Sequence, residues 1–102
     1  MASDIKPLNL KEALELYDIL GKYLPEASKD ETVLEFIGTI VDRIVEDRSG
    51  AYIEAICLMY KCTVEELQGL SSQERLIFFM DGLMKNNIIN LKKFCKEIGY
   101  AR

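Results

Sequence analysis

The sequence predicts an all-α fold, a single compact bundle of about five to six short helices spanning residues 1–102. Three observations predict it. Apolar side chains recur at three- and four-residue intervals along most of the chain, the spacing that lines one face of an α-helix. Two tandem starts, Thr63-Val-Glu-Glu66 and Ser71-Ser-Gln-Glu74, each place a hydroxyl side chain three residues ahead of a Glu, the reciprocal pairing of a capping box. No segment alternates apolar and polar residues as a half-buried strand would, and there is no internal repeat or low-complexity tract.

Residues 1–8 form a lead-in closed by Pro7, with Ile5 and Leu8 available to pack. Asn9, three residues ahead of Glu12, caps a first helix over 9–24, whose stripe is Leu10, Ala13, Leu14, Tyr17 and Gly21, widened by Leu16, Leu20 and Tyr23. Pro25 stops it, because the residue before a proline disfavours the helical region. Ser28 or Asp30 then caps a second helix over 31–46, with the acids Asp30, Glu31 and Glu35 near the positive end of its dipole. Val33, Phe36, Ile37, Ile40, Val41, Ile44 and Val45 give it the richest apolar face in the chain, which predicts the central helix of the fold.

Asp47-Arg48-Ser49-Gly50 breaks that pattern, and a third helix over 50–61 presents Tyr52, Ile53, Ile56, Cys57 and Tyr60. Thr63 caps a short helix over 63–69, with Leu67 and Leu70 as its apolar contacts. The helix over 72–85 carries five consecutive apolar residues, Leu76 to Met80. At about 100° per residue such a run sweeps past a full turn, so it cannot all face one core. Leu76, Phe79, Met80 and Leu83 share one side with Ile77 and Met84 beside them, which leaves Phe78 among Glu74, Asp81, Gly82 and Lys85 on the expected wet face. Gly82 reads as a weak point in this helix, about 1 kcal/mol worse than Ala. Asn86-Asn87 makes a turn, and Asn90 caps a last helix over 90–98 that packs Leu91, Phe94 and Ile98 and stops at Gly99.

An apolar share of 49% is high for 102 residues, since a small domain has little interior in which to hide it. The surplus predicts an interface and self-association. No apolar run approaches the ~18 residues of a membrane span, and Met-Ala-Ser-Asp lacks the basic flank and apolar core of a secretion signal, so a cytoplasmic protein is expected. Cys57, Cys62 and Cys95 form neither a disulfide framework nor a CxxC motif, and with no His in the chain they are expected to be buried free thiols and not metal ligands. The net charge of −4 divides unevenly: residues 1–50 hold eleven acids against six bases, residues 51–102 six against seven. Lys85, Lys92, Lys93, Lys96 and Arg102 face only Glu97, and the simplest reading puts these bases on the solvent side and C-terminal end of the last helix. The sharper alternative is an acidic partner or head-to-tail contact with the acidic first half.

Without His, no nucleophile–base pair suggests itself, and the glycines are scattered and form no phosphate-cradling loop. No enzymatic activity and no cofactor are expected. A helix-turn-helix through Gly69-Leu70-Ser71 is a competing class, but its second helix would offer a groove only Gln73 and Arg75, and an acidic chain lacks phosphate-neutralising charge. Nucleic acid is therefore not the expected partner. The favoured class is a protein-binding module whose contact residues are Phe78, Phe79, Met80, Leu83, Met84 and Phe94, with methionine supplying an adaptable surface. A small bacterial helical adaptor or inhibitor is a third class.

The stretch from Leu58 to Leu67 (Leu-Met-Tyr-Lys-Cys-Thr-Val-Glu-Glu-Leu), followed by Leu70-Ser-Ser-Gln-Glu74, resembles a pattern of tail assembly chaperones from bacteriophages of Gram-positive hosts. There an aromatic-ended helix leads into Thr-x-Glu-Glu-Leu-x-x-Leu-Ser/Asp-x-Glu and then a long apolar helix. The motif covers about a third of the chain, and the basic tail here departs from the family's acidic character. The resemblance implies a small all-α protein, often oligomeric, that binds the long helical tape-measure protein and keeps it soluble before the tail tube polymerises. It implies no catalytic residue and no cofactor.

Overall fold

Four of the helices begin on a side-chain cap. In the computed structural model, which describes residues 8–26 and 32–99, the helices are α1 (Leu10–Leu20), α2 (Val33–Asp47), α3 (Ala51–Tyr60), α4 (Val64–Gln68), α5 (Ser72–Lys85) and α6 (Ile88–Glu97). Asn9, Thr63 and Ser71 each accept from the third helical amide while Glu12, Glu66 and Glu74 reach back to the cap, so α1, α4 and α5 all begin with complete capping boxes. The predicted all-α bundle is the observed fold, and no strand occurs among the described residues.

The ends differ from expectation in three places. The first helix is α-helical only to Leu20, and Gly21–Tyr23 tightens into one 3₁₀ turn before Pro25. The second is capped by Thr32, whose Oγ1 accepts the Glu35 amide at 3.1 Å; Ser28, Asp30 and Glu31, like Ile5, Pro7 and Arg102, lie outside the described residues. The last helix begins at Ile88 and not at Asn90. Asn87 takes the left-handed conformation (φ 50°), and the Asn86 side chain donates to the Gly82 carbonyl at 2.9 Å, so two residues complete the reversal.

The five longer helices close into a ring. In terms of principal neighbours, α5 lies against α3 and α2, α3 against α1, α1 against α6, and α6 back against α2, with α4 attached to α3. Thus α2, expected to be central, is one wall of the ring, packed chiefly on α5 and less on α6. Its buried members are Phe36, Ile37, Ile40 and Ile44, while Val33 and Val45 are exposed and Val41 is half-buried. These four meet Leu16 and Leu20 of α1, Ala55, Ile56 and Met59 of α3, Phe79 and Leu83 of α5, and Ile88 of α6 in one core. The radius of gyration, 13.1 Å, is that of a compact chain of this length.

Polar ties close the ring at its corners. The Tyr23 hydroxyl donates to Asp47 Oδ2 at 2.7 Å, and Arg43 donates to the Tyr23 carbonyl at 3.4 Å, binding the end of α1 to the end of α2. Lys92, expected to face solvent, is turned inward. Its ammonium donates to the Leu24 carbonyl at 3.4 Å and to the Pro25 carbonyl, and pairs with Glu26 at 3.5 Å, which fastens α6 to the segment leaving α1. The α1–α2 connection cannot satisfy those carbonyls by helix bonding, so a long cation does it. Lys96 also pairs with Glu26 at 3.0 Å and Lys85 with Asp81 at 3.0 Å, so much of the basic tail is already matched within the chain.

Candidate functional site

The orientation of α5 decides what the molecule presents, and Gly82 sets it. A Cβ placed there would come within 2.7 Å of Met59 Cε and 3.0 Å of its Sδ, with Tyr60 Cε2 at 3.4 Å. Gly82 is therefore the point where α5 lies closest on α3, buried where the sequence pattern had put it on the wet side. With Gly82 inward, Phe79 and Leu83 fall on the same side and are completely enclosed. Residues roughly opposite the middle of that face must then turn out. Ile77 is 64% exposed and Met84 47%.

Phe78 lies at the edge of the buried face and is half-buried. Its ring meets that of Tyr60 edge-on at 5.4 Å, and the Tyr60 hydroxyl donates to the Phe78 carbonyl at 3.0 Å. The same hydroxyl also approaches Asp81 at 3.4 Å. Burial, with the Asp81 carboxylate adding to it, pushes the Tyr60 hydroxyl up to about 12, so Tyr60 acts as a neutral donor.

The six residues predicted to contact a partner thus separate. Phe79 and Leu83 are core and present no surface, because the approach of α5 to α3 rotates them inward. Met80 and Phe78 are half-buried, and both pack against the core from its rim. Met84 and Phe94 are exposed, but Phe94 (39%) sits on α6, separate in sequence from the α5 group. Ile77, assigned to the inner side by periodicity, is the most exposed large apolar side chain among the described residues.

A second apolar flank lies on α2. Leu34 is 60% exposed and Val45 55%, and between them Gly38 and Val41 are half-buried, a stripe at 34, 38, 41 and 45 beside the buried one. On α5, Gln73, Ile77, Met80 and Met84 follow the same spacing. Because α2 and α5 are neighbours, the two flanks belong to adjoining walls of the ring. Val45 also lines a pocket of about 320 Å³, together with Ile44, Arg48 and Ser49 of the α2 end, Tyr52 of α3, and Ser72 and Leu76 of α5. The lining is largely hydrocarbon with a few polar groups at its edge, which suits an aliphatic or aromatic side chain inserted from a partner.

The remaining cavities have other characters. An open cleft of about 400 Å³ is lined by Lys22, Tyr23, Arg43, Glu46 and Asp47, and its charges largely satisfy one another. There the hydrogen bond from Tyr23, helped by the Lys22 ammonium, holds the Asp47 carboxyl below its usual range. A pocket of about 300 Å³ runs between Leu8, Ala13 and Leu16 and the α5–α6 turn. Among the described residues no group of three or more Cys, Asp or Glu side chains is arranged to hold a metal ion, and no helix is long and apolar enough to cross a membrane. No family model matches the chain, and no curated protein or solved structure is significantly similar to it.

Proposed function

We propose that this chain is a non-enzymatic protein-binding module that receives an amphipathic helix along the α2–α5 flanks, acting as a tail assembly chaperone for a phage tape-measure protein. One observation carries the reading: Leu34 and Val45 on α2 and Ile77 and Met84 on α5 leave large apolar side chains in water on adjoining helices. Isolated exposed apolar residues are ordinary, but two neighbouring stripes at matched helical spacing are the form taken by a groove for a third helix. The methionines Met80 and Met84 suit a client whose contact residues vary along its length, as those of a long coiled chain must. The chaperone assignment itself comes from the resemblance of residues 58–74.

The test is co-expression with a long helical tape-measure protein as the client. Ile77→Glu/Met84→Glu should keep the helical circular dichroism and cooperative melting of the parent while losing its ability to hold that client in the soluble fraction. Phe79→Ala should instead unfold the chain, with a loss of about 3–5 kcal/mol. A doubly charged variant that protects the client as well as the parent does would remove the α2–α5 surface from the reading. A client that is equally soluble with no partner at all would remove the chaperone role. Self-association through the same surface predicts a parent larger than a monomer by solution mass and a variant reduced to the monomer.

A further inference from the structure

Helix α3 stops in a way that brings two thiols together. Lys61 takes the left-handed conformation (φ 56°, ψ 43°), and its amide donates to the Cys57 carbonyl. The next amide, that of Cys62, donates to the same carbonyl at 3.3 Å. A six-to-one closure of this kind is a Schellman-type stop, and it characteristically lays the side chain just past the helix on the side chain three positions inside its end. In most helices that contact is between aliphatic groups. Here the two positions are Cys57 and Cys62. Their thiols are near enough for each to act on the other's ionisation, and both are half-buried. Cys95, the remaining cysteine, is buried on α6.

We propose that Cys57 and Cys62 form a reversible intramolecular disulfide, making the end of α3 a modification site for low-molecular-weight disulfides such as oxidised glutathione. The step is ordinary exchange. One cysteine thiolate attacks a sulfur of the glutathione disulfide, forming a protein–glutathione disulfide and expelling one glutathione thiolate. The second cysteine thiolate attacks the protein-bound sulfur of that mixed disulfide and expels the second glutathione. The protein gives up two electrons and two protons, and one glutathione disulfide becomes two glutathione molecules. The cap already holds the pair side by side, so the second displacement is intramolecular and the mixed disulfide does not accumulate.

The first displacement is slow at neutral pH. Burial raises both thiols above their ordinary value, Cys62 to about 11, and the carboxylates of Glu54, Glu65 and Glu66 act in the same direction on Cys57. The pair is therefore poorly activated for attack but well placed for closure, the character of a site that responds to sustained oxidising conditions rather than to brief ones.

The experiment equilibrates the full chain carrying Cys95→Ser with oxidised and reduced glutathione, folded and in urea, and reads intact mass and peptide maps. The folded chain should lose the mass of two hydrogens, and cleavage after Lys61 should leave its two peptides joined until a reductant is added. At one glutathione ratio, the oxidised-to-reduced ratio should be at least about tenfold higher folded than unfolded, because a cap that holds the sulfurs together favours the bond. Three results would each overturn the proposal: a lasting glutathione adduct on either residue, a cross-link between chains, or equal ratios in the folded and unfolded states. Failure of the folded chain to react even at alkaline pH, while the unfolded chain does, would overturn it as well.

Discussion

Gly82 shows how one side chain's absence fixes the presentation of a whole helix. By propensity alone, Gly82→Ala should gain about 1 kcal/mol. The structure predicts the opposite sign. The new methyl group would press on the end of the Met59 side chain, which must shift within a buried setting, and overpacking of this sort typically costs about 1–3 kcal/mol. We expect Gly82→Ala to lose about 1 kcal/mol net in urea denaturation. In a Met59→Leu background, where the clashing sulfur and terminal methyl are gone, the same change should become neutral or stabilising. Tyr23 and Asp47 give a second test at this scale. The folded-state value of Asp47 lies below its ordinary 3.8, so its contribution is present above that value and is lost as pH falls through the lower folded one. Tyr23→Phe removes the largest cause of the depression. Its urea midpoint should therefore trail the parent's at neutral pH, and the gap should narrow well below pH 3.8; a gap independent of pH would locate the effect in packing instead.

At the scale of the element, starts and stops have different local chemistry. The capping boxes at Asn9, Thr63 and Ser71 were readable because each is a local exchange between residues three apart. The stops of α2 and α3 fall within one residue of those expected, although both helices end on a residue with a side chain in the left-handed region, Arg48 (φ 53°) and Lys61 (φ 56°). Glycine is the usual choice there, and Arg carries a steric penalty of about 1–2 kcal/mol. Arg48 is exposed, so Arg48→Gly should stabilise the chain by about 0.5–1 kcal/mol, seen as a higher melting temperature without change in helical content. The same substitution removes a side chain from the α2–α5 pocket and so reports on any role of Arg48 in partner contact.

For the molecule as a whole, the ring of five helices is closed by few polar ties, and Lys92 is the one buried charged residue among the described residues. Lys92→Met keeps the hydrocarbon stem but leaves the Leu24 and Pro25 carbonyls without their cation. Hydrogen bonds from a charged group contribute about 1.5–3 kcal/mol, so a loss of that order is expected, together with faster amide exchange in α6. Lys93→Met, a change at an exposed neighbour, should leave both unchanged. If the two variants behave alike, α6 is held by its apolar face alone.

The sequence by itself determined that this chain is helical and where most of its helices begin, and its composition raised the expectation of surplus apolar surface. These follow from interactions between residues three or four apart and from composition, both of which are local or additive. It put Leu76, Phe79, Met80 and Leu83 together on one side of α5, but set Gly82 on the opposite, wet side and Ile77 beside the inner one. Five successive apolar residues leave the centre of the buried face ambiguous, and in the structure Gly82 is buried on that face, beside Met59 and Tyr60 of α3. That orientation moved Phe79 and Leu83 from the candidate surface into the core and brought Ile77 out of it. The inward turn of Lys92, and the meeting of the α2 and α5 flanks, were likewise beyond the reach of sequence. Each depends on groups far apart in the chain, and only the closing of the ring sets them side by side.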